Sequence, residues 1–111
     1  MTSIRFIPDL ERGSPAAISG THLEVNELFD GPFRTIIEVR LRDSAVLKKH
    51  KADVPITILC LAGSGKFLAG RDLEDSQDLV AGTLITLDAG VQHEARAESE
   101  LHPIVTKFKG N

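Results

Sequence analysis

The stretch Gly82-Thr-Leu-Ile-Thr-Leu-Asp88-Ala-Gly90-Val-Gln-His93 carries the clearest chemistry in this chain. It reads G-x5-D-x-G-x2-H: a glycine entering a strand, five strand residues, a tight Asp-Ala-Gly turn, then a histidine on the strand that follows. An imidazole presented this way can ligate a metal, line a pocket or take part in proton transfer. His22, His50, His102 and the single cysteine, Cys60, complete the set of nitrogen and sulfur donors. A second lead fails. Ala62-Gly-Ser-Gly-Lys66 invites a phosphate-loop reading, but Cys60 stands where G-x4-G-K-[ST] needs its first glycine and Phe67 where it needs a hydroxyl. A hairpin turn over Gly63-Ser-Gly65 accounts for the glycines. No CxxC, HExxH or GxSxG motif is present.

The elements that must hold these residues are short strands. Leu23 to Phe29 forms a first strand, closed by Asp30-Gly-Pro32. Phe33 to Arg42 alternates, with Thr35, Ile37, Val39 and Leu41 on one face and Arg34, Ile36, Glu38, Arg40 and Arg42 on the other. Ser44 to Lys49 delivers His50. Pro55 to Leu61 is apolar on both faces, as a strand buried between layers would be. Lys66 to Ala69 returns as its hairpin partner, and Gly70 to Gln77 is an acidic loop. Leu79 to Leu87, Val91 to Ala97 and Leu101 to Phe108 complete roughly eight to ten short strands, the pattern of a sandwich or barrel. Residues 1–21, interrupted by Pro8, Gly13-Ser-Pro15 and Gly20, read as an N-terminal arm, and 22–111 as one barrel domain.

Composition narrows the function classes. Thirteen basic against sixteen acidic residues give a formal net charge of −3, which argues against a nucleic-acid partner. The absence of Trp and Tyr removes most base-stacking platforms. Charge is nonetheless uneven: Arg34 to Lys51 holds six basic and two acidic residues, whereas Asp72 to Glu100 holds eight acids against Arg96 alone. These are either solvated strand faces or complementary surfaces across a dimer. A lone cysteine excludes an intramolecular disulfide, no apolar leader stands at the N-terminus, and Ile56 to Ala62 is too short to span a bilayer. A cytoplasmic location without membrane attachment is expected.

The G-x5-D-x-G-x2-H stretch resembles the second signature motif of the cupin family, with Asp88 where proline is usual. The resemblance extends over about Thr35 to Phe108 and implies an all-β fold, a small jelly-roll β-barrel, with a homodimer as the usual assembly. The first cupin motif, G-x5-H-x-H-x3-4-E-x6-G, is degenerate here. His50 falls at its first histidine and Gly63, thirteen residues on, at its closing glycine. Ala52 replaces the second histidine, Ile56 the glutamate and Ser44 the opening glycine. Of the family's metal ligands only His50 and His93 remain, on what the family pattern makes opposite sheets. A divalent transition metal (Mn, Fe, Ni, Cu or Zn) needs more donors than two imidazoles. Cys60 shares parity with His50 and is the candidate third ligand. Gln92 and Glu94 flank His93 and alternate away from it.

Carried through, the resemblance implies a barrel interior lined by Ala52, Ile56, Ile58, Cys60, Ala95 and Ala97, small-sided and apolar. That lining leaves room for a small-molecule ligand or is filled by Ile56, Ile58 and Phe67. His22 and His102 match no motif position and are expected at the surface or hydrogen-bonded in place. The leading functional expectation is a small-molecule-binding barrel with weak or optional metal binding. The alternatives are a metal-dependent dioxygenase or isomerase using His50 and His93, and a non-catalytic sensor or interaction scaffold.

Overall fold

Runs of aliphatic and β-branched residues, punctuated by glycine and aspartate, form seven antiparallel strands among the described residues: β1 (Leu23–Asp30), β2 (Arg34–Leu41), β3 (Val46–His50), β4 (Ile56–Ala69), β5 (Asp75–Val80), β6 (Leu84–Leu87) and β7 (His93–Phe108). The structure is a computed structural model and describes residues 6–8, 10 and 22–109. The arm expected over 1–21 therefore lies almost wholly outside the described residues. Among those described there is no helix, and so none long and apolar enough to cross a membrane.

Two long strands organise the rest. The first half of β4 pairs with β6 and with the last half of β7, which in turn pairs with β2, and β2 with β1. The second half of β4 pairs with β5 and with the first half of β7, which pairs with β3. β4 and β7 thus belong to both sheets and bend together from one into the other. Residues that face the space between the sheets form the core, with Leu41, Leu79, Leu101 and Cys60 fully buried. The inward face expected for β2 is confirmed by Val39 and Leu41, both buried, and by Ile37 packed against them.

Three expectations are corrected. Gly63-Ser-Gly65 is not a hairpin turn; it is the corner of one continuous fourteen-residue strand, marked by register shifts between Cys60 and Ala62 and between Gly63 and Gly65. A Cβ on Gly63 would sit 2.1 Å from the Glu100 carbonyl oxygen, and one on Gly65 would sit 2.2 Å from that of Arg96. Glycine is present so that two backbones can touch where the strands change sheet. The acidic segment from Gly70 to Gln77 is only partly a loop, because Asp75–Val80 is an edge strand whose exposed side chains have no core to face. Val91 to Ala97 and Leu101 to Phe108 are two halves of one strand, while Leu79 to Leu87 is broken by a turn and divided between β5 and β6. With the joining of β4, seven strands stand among the described residues where more were expected.

Gly82 supplies a control for the corner. It shares a positive φ with Gly63 (93° and 84°), yet a Cβ there meets nothing within 4 Å. Gly82→Ala should lose only the backbone strain, about 1–2 kcal/mol. Gly63→Ala carries that strain plus a backbone clash and should lose clearly more, or fail to fold. Equal urea midpoints for the two variants would show that close contact at the corner does not constrain the fold.

Candidate functional site

A bulge builds the site. Val46 pairs with Arg96 and Leu47 with Ala95, so regular pairing would place Lys49 opposite His93. One extra residue on β3 shifts the register and sets His50 there instead. The Glu94 carboxylate accepts the Lys49 backbone N–H at 3.0 Å, which occupies a donor that the bulge leaves without a ladder partner. His50 and His93 therefore sit on neighbouring strands of the same sheet, not on opposite sheets. Their rings meet edge to face with centroids 4.2 Å apart, and Phe67 stacks on His93 with centroids 5.6 Å apart.

The tautomers follow from the partners. His50 Nδ1 donates to the Lys48 carbonyl oxygen at 2.7 Å, and His93 Nδ1 to that of Val91 at 2.9 Å. A carbonyl oxygen only accepts, so both neutral rings carry their proton on Nδ1 and present the Nε2 lone pair. Neither Nε2 has a hydrogen-bond partner among the described residues. Burial lowers the His93 pKa below its usual 6.5; the Val91 carbonyl opposes this, while the charges of His50 and Lys107 add to it.

The two imidazoles open onto a cavity of about 170 Å³ between the sheets. Ile56, Ile58, Phe67 and Leu79 wall its deep end, all buried, while the exposed His50 and Lys51 lie toward solvent. The bulky side chains line the space and leave it open. Of the residues expected to line it, Ala52, Ile56, Ile58 and Ala95 do so. Cys60 and Ala97 are instead buried in the surrounding core. Cys60 Sγ donates to the Ala62 carbonyl oxygen at 3.4 Å, and burial raises its pKa, which disfavours the thiolate that a metal needs. Among the described residues no three His, Cys, Asp or Glu side chains gather as a metal cluster. The donor set thus fits two-point coordination and does not fit a tightly held transition metal.

No family model matches the sequence, and no curated protein matches it. Solved structures do match the fold. An uncharacterised conserved protein with a double-stranded β-helix domain from Klebsiella pneumoniae superposes with a TM-score of 0.78 at 13% identity, over 97% of this chain and 93% of the other. A cupin superfamily protein from Desulfitobacterium hafniense gives 0.77 at 12% identity, over 99% and 95%. KdgF from a Halomonas species gives 0.74 at 16% identity, over 99% and 96%. The chain has the cupin fold. Within that cupin frame, Ala52 and Ile56 occupy two ligand positions of the first motif and present only hydrocarbon to the cavity.

Two polar features escaped the sequence reading. Lys51 and Lys107 line the cavity. Lys107 was legible in principle, since it shares parity with Leu101, Pro103 and Val105 on the inward face of β7. On the outer face of β2, Glu38 and Arg40 are buried, whereas alternation alone predicts a solvated face. Glu38 accepts from Arg40 at 3.1 Å, His102 at 2.9 Å and Asn26 at 3.2 Å. Burial pushes the Glu38 carboxyl up, but these hydrogen bonds and the Arg40 charge outweigh it and hold the pKa below its ordinary value. His102 is thus satisfied and buried, while His22 is exposed and 2.9 Å from Asp43. This network faces away from the cavity.

The lowered His93 pKa fixes a pH dependence. As pH falls below 6.5, the unfolded chain binds a proton at His93 that the folded protein resists. His93 therefore subtracts stability as pH drops from about 6.5 through its lowered folded value, and subtracts nothing above that window. Urea midpoints measured at about pH 7.5 and 5.5 should separate less in His93→Gln than in the parent. An unchanged separation would remove His93 as the cause.

Proposed function

We propose that this is a cytoplasmic cupin-fold protein that binds a small molecule between its sheets, with divalent metal binding that is weak and optional. The observation that carries the reading is the cavity itself: about 170 Å³, walled by aliphatic and aromatic side chains, with polar groups confined to two histidines and two lysines among the described residues. An engineered apolar cavity of about 150 Å³ takes up benzene, so this one suits a body of roughly six carbons. Six buried carbons at about 0.8 kcal/mol each supply near 5 kcal/mol, a dissociation constant between about 0.1 and 1 mM before polar contacts are added.

Benzyl alcohol titrated into the protein should shift the methyl resonances of Ala52, Ala95 and Val39, three residues that line the cavity. Ala95→Leu should fill the space and abolish the shifts while the protein stays folded. Shifts spread over the surface, or undiminished in Ala95→Leu, would overturn the reading. Added Zn²⁺ or Ni²⁺ should bind weakly enough to dialyse away, and His50→Ala or His93→Ala should remove that binding. Metal retained stoichiometrically through a chelator would favour a metal-dependent enzyme instead.

We also propose that the protein is a homodimer. Leu59 pairs across the sheet with Leu84 on one side and Ile104 on the other, so the three form an apolar row on the outer face. Leu59 is 38% exposed and Leu84 65%. Such a row packs against its own copy about a two-fold axis. Leu59→Glu should convert a species of twice the chain mass to one of the chain mass in light scattering. A parent already at the chain mass would refute the dimer.

A further inference from the structure

Resting on the reading of the cavity as a ligand site, we infer that its ligand is a small hydroxycarboxylic acid with an apolar body. The polar inventory of the cavity is one-sided. Four described lining residues can carry charge or form strong hydrogen bonds through their side chains (His50, Lys51, His93 and Lys107), and all four are basic. No aspartate or glutamate is among the described lining residues, in a chain whose acids outnumber its lysines and arginines sixteen to thirteen. Elsewhere Lys66 is paired with Asp78 and Lys109 with Asp30, Lys49 Nζ donates to the Arg71 carbonyl oxygen at 3.0 Å, and Lys48 projects into solvent away from the cavity lining. The side chains of Lys51 and Lys107 have no hydrogen-bond or ion-pair partner among the described residues. Two ammonium groups beside an apolar cavity with no protein counter-charge select a ligand that brings its own, and a carboxylate is the anion that fits lysine donors on so small a ligand.

The imidazoles ask for something different. Each Nδ1 proton is already donated to a backbone carbonyl, so each Nε2 offers a lone pair to the cavity. A lone pair repels a carboxylate oxygen and accepts from a hydroxyl. Lys51 follows His50 in the chain, and Lys107 lies near enough to His93 to act on its charge. Donors for a carboxylate and acceptors for a hydroxyl therefore line the same cavity, together with Ile56, Ile58 and Phe67. A carboxylate and a hydroxyl on neighbouring carbons, attached to a benzene-sized or branched aliphatic group, meets all three demands.

Four probes of similar size separate the requirements: mandelate, mandelamide, phenylacetate and benzyl alcohol, titrated calorimetrically into chelator-treated protein so that no metal supplies the anion site. Mandelate should bind about tenfold or more tighter than mandelamide, which lacks the charge, and several-fold tighter than phenylacetate, which lacks the hydroxyl. Mandelate binding should weaken with added salt, and Lys107→Gln should erase most of its advantage over mandelamide. Equal affinity for mandelate and mandelamide would overturn the carboxylate. Equal affinity for mandelate and phenylacetate would overturn the hydroxyl. In either case bound benzyl alcohol would leave the cavity reading standing, whereas failure of all four probes would end both.

Discussion

Everything in this molecule depends on two backbones touching. Where β4 and β7 turn from one sheet into the other, Gly63 and Gly65 lie so close to the carbonyls of Glu100 and Arg96 that no side chain fits between. The contact sets the angle between the sheets, and that angle sets the depth of the space they enclose. Strands that kept straight would leave a flat sheet with Ile56, Ile58 and Phe67 facing water. The bend converts the same residues into walls. The polar edge strand β5 follows from it as well, because only Leu79 of its six residues reaches the core.

β2 separates two electrostatic systems that solve opposite problems. On its outer face Glu38 is matched by His102, Arg40 and Asn26, so buried charge is compensated where it stands. On its inner face Ile37 and Val39 border a cavity whose charged groups are all of one sign and lack internal compensation. The first arrangement ties β1, β2 and β7 together. The second is one-sided, and the ligand proposed above would supply its counter-charge. A residue shift on β2 would exchange the two faces and bury lone charge on both, so the strand's register is held by polar as well as apolar demands.

The fold was legible because glycine spacing and alternation are local. Gly82, the turn at Gly90 and His93 follow one another in sequence, and each means the same thing in the chain as in the structure. Alternation in β2 read correctly for the same reason. Gly63-Ser-Gly65 misled because a hairpin and a strand corner both need glycine, and only the distant Glu100 and Arg96 decide between them. The site was half legible. His50 and His93 stood out, but the bulge that makes them neighbours breaks parity on β3, and no residue type announces it. Cys60 was placed by parity beside the imidazoles; it keeps the inward parity of Ile56 and Ile58, but it lies farther along β4 toward the corner and packs into the core there. Buried Glu38 was invisible, since its partners come from sequence positions as far off as His102.

Because β4 and β7 are members of both sheets, the sheets are not separable leaves. Prising them apart would tear the same two strands along their length, so opening of that kind approaches global unfolding in free energy. The ligand proposed above would then pass side chains that face solvent at the cavity, His50 and Lys51 among them, and its arrival and departure would be governed by side-chain rotations there. Exchange at such a doorway runs on the fast timescale of rotamers and not on the slow one of breathing sheets. The shared strands make the protein a vessel with a rigid body and a movable rim.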